Sequence, residues 1–184
     1  MLEGKKVNLR VMEKDDIDSI VEVFSNIHFD EYDPLMLISK SGMTKRFDNS
    51  TPIEIVTQNT LFIIEKKDRA KIGLTRHSLV QPVSLMEIGY IIVPSERRKG
   101  YGTEAAQIMV DYLFLSKKIV RIQATTDVKN KASQRVLEKV GFKREATLRK
   151  VGFVRGEWAD GYLYSILREE WREPKILTKT TSQS

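Results

Sequence analysis

The chain has 184 residues, 41% of them hydrophobic, and 31 Lys plus Arg against 25 Asp plus Glu leave a formal net charge of +6. That length favours one domain with its own core, and the mild basic excess fits an anionic ligand, a nucleic acid or plain solubility. With no cysteine there is no disulfide, thiolate nucleophile or Cys-ligated metal, and two separated histidines, His28 and His77, argue against a metal site. The opening MLEGKKVNLR lacks an apolar signal core, and no run reaches the roughly 18 apolar residues of a membrane span, so a soluble cytoplasmic protein is expected.

Val7, Leu9 and Val11 alternate with polar residues and predict a half-buried strand; Asp15 or Asp16 then caps a helix carrying Ile17, Ile20, Val21 and Phe24. Residues 26 to 50 are polar and interrupted by Pro34 and Gly42, which predicts short helices or a surface loop, and Pro52 opens a helix to about Asn59. Three β-rich runs follow, Leu61 to Glu65, Lys71 to Leu79 and Leu85 to Val93, separated by KKDR and by QPVS; such short links pair strands antiparallel. An amphipathic helix over Ala105 to Leu115, a strand over Val120 to Thr126 and a helix over Lys131 to Val140 come next. The last strands, Lys143 to Phe153 and Trp158 to Leu167, are joined by a turn at Arg155-Gly156. Residues 1–173 form one expected domain, and 174–184 a frayed polar tail.

Between the third β-rich run and the helix lies RRKGYGTEAA, whose core reads G-x-G-x-x-A, the form of a dinucleotide loop. Glycines let backbone N–H groups close on an anion, and the following helix N-terminus adds partial positive charge, so a phosphate is expected there. Asp127, at the end of the next strand, imitates a ribose-binding acid. Yet the loop follows antiparallel strands and leaves too few alternating units for a doubly wound sheet. Arg97, Arg98 and Lys99 also bring more positive charge than a cradled pyrophosphate needs, and the Walker spacing is absent.

Arg97-Arg98-Lys99-Gly100-Tyr101-Gly102 resembles the R/Q-x-x-G-x-G/A signature of the GNAT superfamily of N-acetyltransferases. Downstream, Asn130-Lys131-Ala132-Ser133 and then Glu138-Lys139-Val140-Gly141-Phe142 resemble the N-x-x-S and EK-x-GF segment of its RimJ/RimL-like branch, and VRGEWADGYLYSILREEW is similar to that branch's final hairpin. The likeness runs from about residue 5 to 172. It implies an α/β (α+β) fold with a mixed, mostly antiparallel central sheet flanked by helices, a strand splayed ahead of the loop, and acetyl-coenzyme A as cosubstrate with no metal. Coenzyme A's extra 3′-phosphate answers the surplus charge of the loop. The resemblance implies that backbone and side chains of Arg97, Arg98, Lys99, Gly100, Tyr101, Gly102 and Thr103 hold the phosphates, while main chain at Ile92 and Val93 meets the pantetheine arm.

Acetyl transfer needs a neutral amine, a polarised thioester and an exit for the thiolate. Glu87, on the strand before the loop, is the leading base, with solvent exposure or pairing with a cross-strand lysine as the structural alternative. The position where RimL-type members place a glutamate is Gly152, and the position of the superfamily's acidic tyrosine is Leu137. The resemblance therefore assigns the thiolate to Ser133 and pantetheine contact to Asn130, with helix capping as the structural alternative. Trp158, Asp160 and Tyr164 resemble acceptor-pocket residues, although a strand aromatic is often plain core, and His77 is a further base candidate or a satisfied polar histidine. The expected reaction is direct attack of a primary amine, a protein or peptide N-terminal α-amine first and a polyamine or antibiotic second. A non-catalytic coenzyme A sensor and a nucleic-acid module compete, the latter weakened because Lys and Arg are interspersed with Asp and Glu. No membrane partner is expected, and a monomer or homodimer both fit.

Overall fold

The computed structural model describes residues 1–25, 31–32, 39–48, 59–80 and 85–177. The described strands are β1 (Leu2–Glu3), β2 (Val7–Val11), β3 (Asn59–Lys66), β4 (Lys71–Val80), β5 (Leu85–Ile92), β6 (Arg121–Asp127), β7 (Lys143–Val154) and β8 (Glu157–Leu167). The described α-helices are α1 (Ile17–Ser25), α2 (Lys40–Asp48), α3 (Tyr101–Ser116) and α4 (Lys131–Val140). His28, Pro34, the helix expected from Pro52, the QPVS link and the last seven residues lie outside the described residues.

The strands form one sheet in the order β1-β2-β3-β4-β5-β6-β8-β7. All neighbours run antiparallel except β5 and β6, so the mixed, mostly antiparallel sheet expected from the sequence is what forms. The short links between β3, β4 and β5 enforce antiparallel pairing, whereas the crossover through α3 brings β6 in parallel. One face of the sheet packs with α3 and α4 around Ile64, Met86, Ile108, Met109, Ile122 and Leu137. On the other face a smaller cluster joins Ile17 and Ile20 of α1 to Ile63 and Leu74.

Three local expectations are corrected. Helix α3 is not amphipathic: Ala105 through Asp111 are buried in succession, because sheet, α4 and the C-terminal segment cover it from several sides. Strand β2 does not alternate cleanly: Asn8 is buried with Val7 and Leu9 while Val11 is exposed, and Lys67 Nζ holds the Asn8 side chain at 2.7 Å. Asp16 does not cap α1 directly. It ends a 3₁₀ turn, Lys14–Asp16, whose N-cap is Glu13, and its carboxylate takes the Glu13 N–H at 2.8 Å and two bonds of 2.9 Å from Arg10.

The chain also remains packed beyond Pro174. Asp111, fully buried in α3, accepts the backbone N–H groups of Lys175, Ile176 and Leu177 at 3.0, 2.8 and 3.2 Å, and Trp171 Nε1 at 2.9 Å. A buried carboxylate requires such donors, and the sequence beyond residue 173 supplies them.

Candidate active site

After β5 a 3₁₀ turn, Pro94–Glu96, leads into the basic loop. Arg98 has φ 65 and Gly100 φ 86, so the backbone turns left-handed twice within three residues before α3 begins at Tyr101. Alternation of this kind points successive N–H groups into one concavity, and the first turn of α3 adds unpaired donors to it. A concavity of this kind can accept an anion on main-chain donors.

The side chains around it are arranged differently from a plain basic triplet. Lys99 Nζ is 2.8 Å from Glu96 Oε2, and this bond draws the Glu96 carboxyl below its usual range. Arg97 Nε folds back onto the Ile92 carbonyl at 2.9 Å. A cation from far away joins the loop: Lys6 Nζ donates to the Lys99 carbonyl at 3.3 Å. Glu104, in the first turn of α3, fixes that approach by accepting the Lys6 and Val7 N–H groups at 2.6 and 3.2 Å.

Beside the loop the sheet opens. Strand β5 pairs with β4 from Leu85 to Ile92, but meets β6 only at Met86 opposite Ile122 and Glu87 opposite Gln123. Beyond Glu87 the strands part: β6 pairs with β8 along its whole length, but from Ala124 to Asp127 it has no partner on the β5 side among the described residues. Val93 N–H bonds the Ile72 carbonyl at 2.9 Å, and its own carbonyl takes Glu96 N–H at 2.9 Å, so its main chain is committed. By the alternation of an antiparallel ladder, Tyr90 and Ile92 then turn their main-chain groups away from β4 and into the gap.

Residues from both faces meet at this opening. Glu87 shares its face with Ser78 and Gln123, and Gln123 Nε2 donates to Glu87 Oε2 at 2.9 Å. The partner is thus a neutral amide rather than the lysine considered above. On the opposite face Asn130 Oδ1 caps α4 by accepting Ser133 N–H at 3.0 Å, the capping role weighed in the sequence. Ser133 Oγ stands 3.1 Å from Tyr90 Oη. Neither Tyr90 nor Gln123 stands out in the sequence; only β-alternation from Glu87 hints that Tyr90 faces the helices, and nothing fixes the Gln123 register.

The acceptor-pocket expectations fare differently. His77 is 1% exposed on the α3 face, its ring 6.0 Å from Phe62 and 6.1 Å from Tyr112, and neither nitrogen has a hydrogen-bond partner among the described residues. It is neither a base beside an amine nor a satisfied polar histidine. Tyr164 is 1% exposed in the main core, and its hydroxyl donates to Glu138 at 3.1 Å. Its strand position turns it toward α4, so it lines no acceptor pocket. Trp158 is exposed near the β7–β8 turn, where it stacks edge-on against Phe153 at 5.3 Å. Asp160 accepts Lys150 N–H at 2.8 Å and pins the β7 bulge between Leu148 and Gly152. His77 and Tyr164 are thus buried on the helix-covered face, whereas Trp158 and Asp160 lie near the β7–β8 turn.

The acetyltransferase (GNAT) domain family matches residues 6–143. Over 193 aligned positions the chain is 31% identical to the probable N-acetyltransferase YjcK of Bacillus subtilis, covering 92% of this chain and 98% of that one. It is 27% identical over 171 residues to the uncharacterized N-acetyltransferase p20 of Bacillus licheniformis, covering 91% of this chain and 96% of p20. A stretch of 85 residues, 46% of this chain, is 42% identical to the uncharacterized N-acetyltransferase YnaD of Bacillus subtilis but spans only 50% of that protein. Among solved structures, a GNAT-family acetyltransferase from Bacillus anthracis superposes with a TM-score of 0.77 at 27% identity over 91% of this chain and 98% of its own. The ribosomal-protein-S5-alanine acetyltransferase of Vibrio fischeri shares the fold with a TM-score of 0.82 at 22% identity, over 92% of this chain and 97% of its own. A domain match across most of the chain, joined to near full-length likeness to N-acetyltransferases, makes this protein a member of the GNAT family of acetyltransferases and an N-acetyltransferase enzyme.

Proposed function

We propose that the enzyme transfers the acetyl group of acetyl-coenzyme A to an N-terminal α-amine of a protein or peptide, by direct attack in a ternary complex. The observation that carries this reading is the gap between β5 and β6 beyond Glu87, beside the left-handed loop that follows β5. The loop N–H groups hold the phosphates, with Arg98 and Lys6 adding charge. Main chain at Tyr90 and Ile92 aligns the pantetheine arm; to do so at Ile92, Arg97 must release the carbonyl it holds. Asn130 fixes the start of α4, and Ser133 offers its hydroxyl to the sulfur.

Glu87 and Ser133 lie on opposite faces, so the amine enters from the α1 side while the thioester lies on the α3–α4 side. The amine nitrogen forms its bond to the carbonyl carbon, the C–S bond breaks, and the electron pair leaves on sulfur. Glu87 takes the amine proton directly or through water. Its bond from an uncharged Gln123 amide orients the carboxylate without neutralising it.

Arg76 supports an α-amine over a polyamine. Its side chain lies across Gly89, with Nε 3.3 Å from where a Cβ would stand, on the same face as Glu87. A guanidinium there repels a polycation and favours the uncharged form of an incoming amine. An α-amine, with a pKa near 8, needs little help from a base at neutral pH, unlike a lysine near 10.4. Solved GNAT folds of both acceptor types resemble the chain: the Vibrio fischeri alanine acetyltransferase, and a Vibrio cholerae spermidine N-acetyltransferase in complex with CoA and spermine, TM-score 0.80 at 21% identity over 90% of this chain and 98% of its own.

Calorimetry with acetyl-coenzyme A and NAD, then thiol release over N-terminal peptides, polyamines and aminoglycosides, tests the reading. Acetyl-coenzyme A should bind more tightly than NAD, and peptides should be turned over. Tighter NAD binding overturns the cosubstrate assignment, binding with no turnover on any amine points to a sensor, and turnover of polyamines without peptides overturns the acceptor.

A further inference from the structure

We propose that Tyr90 is a positioning residue of the transfer reaction: its hydroxyl donates to Ser133 Oγ and thereby directs the Ser133 proton at the sulfur of the departing coenzyme. This inference rests on the acetyl-coenzyme A reading above and assigns to strand β5 a side-chain role besides its main-chain one.

The placement is specific. Tyr90 lies on the face of β5 that looks toward α3 and α4, directly opposite Thr75 in β4. Its ring passes beneath the first turn of α3, with Cδ2 4.0 Å from where a Cβ on Gly102 would stand. Its hydroxyl then reaches the first turn of α4, 3.1 Å from Ser133 Oγ and 3.2 Å from the Ser133 carbonyl. Tyr90 therefore spans the floor of the gap from the phosphate loop to the proposed thiolate donor.

The chemistry follows from donor bookkeeping. The Ser133 N–H is already held by Asn130 Oδ1, which fixes the backbone but leaves the hydroxyl to rotate. A serine in the first turn of a helix tends to turn that hydroxyl onto nearby carbonyls. The single phenol proton has two acceptors here, the Ser133 carbonyl and Ser133 Oγ; once a thiolate takes the Ser133 O–H, the phenol donates to Oγ, fills one lone pair and polarises that proton. Burial pushes the Tyr90 phenol well above its ordinary value, so it stays a donor across the working pH range. During transfer the C–N bond forms and the C–S bond breaks, the amine proton goes to Glu87, and the pair on sulfur is met by the Ser133 O–H. Neither hydroxyl loses its proton; the thiolate is later protonated by water. The arrangement also meets the lack of a hydroxyl at Leu137, which is buried in the core.

The test compares wild type, Tyr90→Phe, Ser133→Ala and the double variant in the full chain. The first readout is the pKa of the thiol of bound coenzyme A, followed by thiolate absorbance, which needs no acceptor. Tyr90→Phe should raise it by about half a pH unit or more in the wild-type background and leave it unmoved in the Ser133→Ala background. With a peptide substrate, Tyr90→Phe should lower kcat about tenfold, the equivalent of one such hydrogen bond, leave the acetyl-coenzyme A dissociation constant within about twofold, and add nothing to Ser133→Ala. An unmoved thiol pKa, or equal effects of Tyr90→Phe in both backgrounds, overturns the proposal, because a purely structural tyrosine would act independently of Ser133. A weakened dissociation constant with unchanged kcat also overturns it. Failure of the wild-type protein to bind coenzyme A is a different result and sinks the cosubstrate reading itself.

Discussion

Replacing Asp111 with Asn leaves the shape of α3 intact and attacks the clasp that holds the C-terminal segment. In the wild type one carboxylate oxygen receives Gln107 Nε2 at 3.1 Å and Trp171 Nε1 at 2.9 Å, and the other receives three backbone N–H groups between 2.8 and 3.2 Å. An amide has one acceptor oxygen. Turned to the backbone donors, it points its NH₂ at Gln107 and Trp171; the glutamine can flip, but the indole cannot. A hydrogen bond to a charged acceptor contributes roughly 1.5–3 kcal/mol, and leaving one buried donor unpaired while the others meet a neutral oxygen costs about 3–5 kcal/mol in total. At about 2–4 °C per kcal/mol for a chain of this size, the melting temperature should fall by on the order of 10 °C. Hydrogen exchange should quicken first at Lys175, Ile176 and Leu177. Coenzyme A affinity should stay within about twofold, since Asp111 lies about 15 Å along α3 from Tyr101. A melting temperature within about 2 °C of wild type, with those three amides equally protected, would refute the reasoning.

Three further substitutions have defined outcomes. Burial, with Lys117 nearby, lowers the His77 imidazole to about 4. The unfolded chain therefore binds that proton first, and stability attributable to His77 is lost as pH falls from about 6.5 toward 4. His77→Phe should reduce the loss and, by removing two unpaired nitrogens, raise the melting temperature; an unchanged slope over that window would contradict this. Ser133→Ala should lower kcat by tens to several hundredfold, about 2–4 kcal/mol of transition-state stabilisation, with acetyl-coenzyme A binding nearly intact, so a wild-type kcat would remove Ser133 from the chemistry. Glu87→Gln should slow peptide acetylation most near pH 6.5 and progressively less toward pH 9.5, where free amine is abundant; a wild-type to variant rate ratio of one throughout would clear Glu87 of the base role.

Local signals in the sequence reached far into the fold. Helix α4 runs from Lys131 to Val140, the limits its apolar period and flanking Asn130 and Gly141 predict, and the turn at Arg155-Gly156 takes the positive φ angles that such a dipeptide invites. The strand and glycine loop around Gly100 were legible because glycine spacing and charge act within a few residues, but the helix after them starts at Tyr101 rather than Ala105 and is buried all round. The parting of β5 from β6 entered only through family resemblance. What only the tertiary structure decided depends on contacts between distant segments. Lys99 reads as a ligand-facing cation until Glu96 is found on it, and Lys6 has no visible link to the loop until Glu104 bolts β2 against α3. His77 and Tyr164 read as site residues because polarity is visible in a sequence, while the side of the sheet they face is not. Glu87 meets Gln123 through a register set by the α3 crossover, and Tyr90 meets Ser133 across 43 positions of chain. Periodicity and capping are one-dimensional properties, whereas register, facing and burial arise only when the whole core closes.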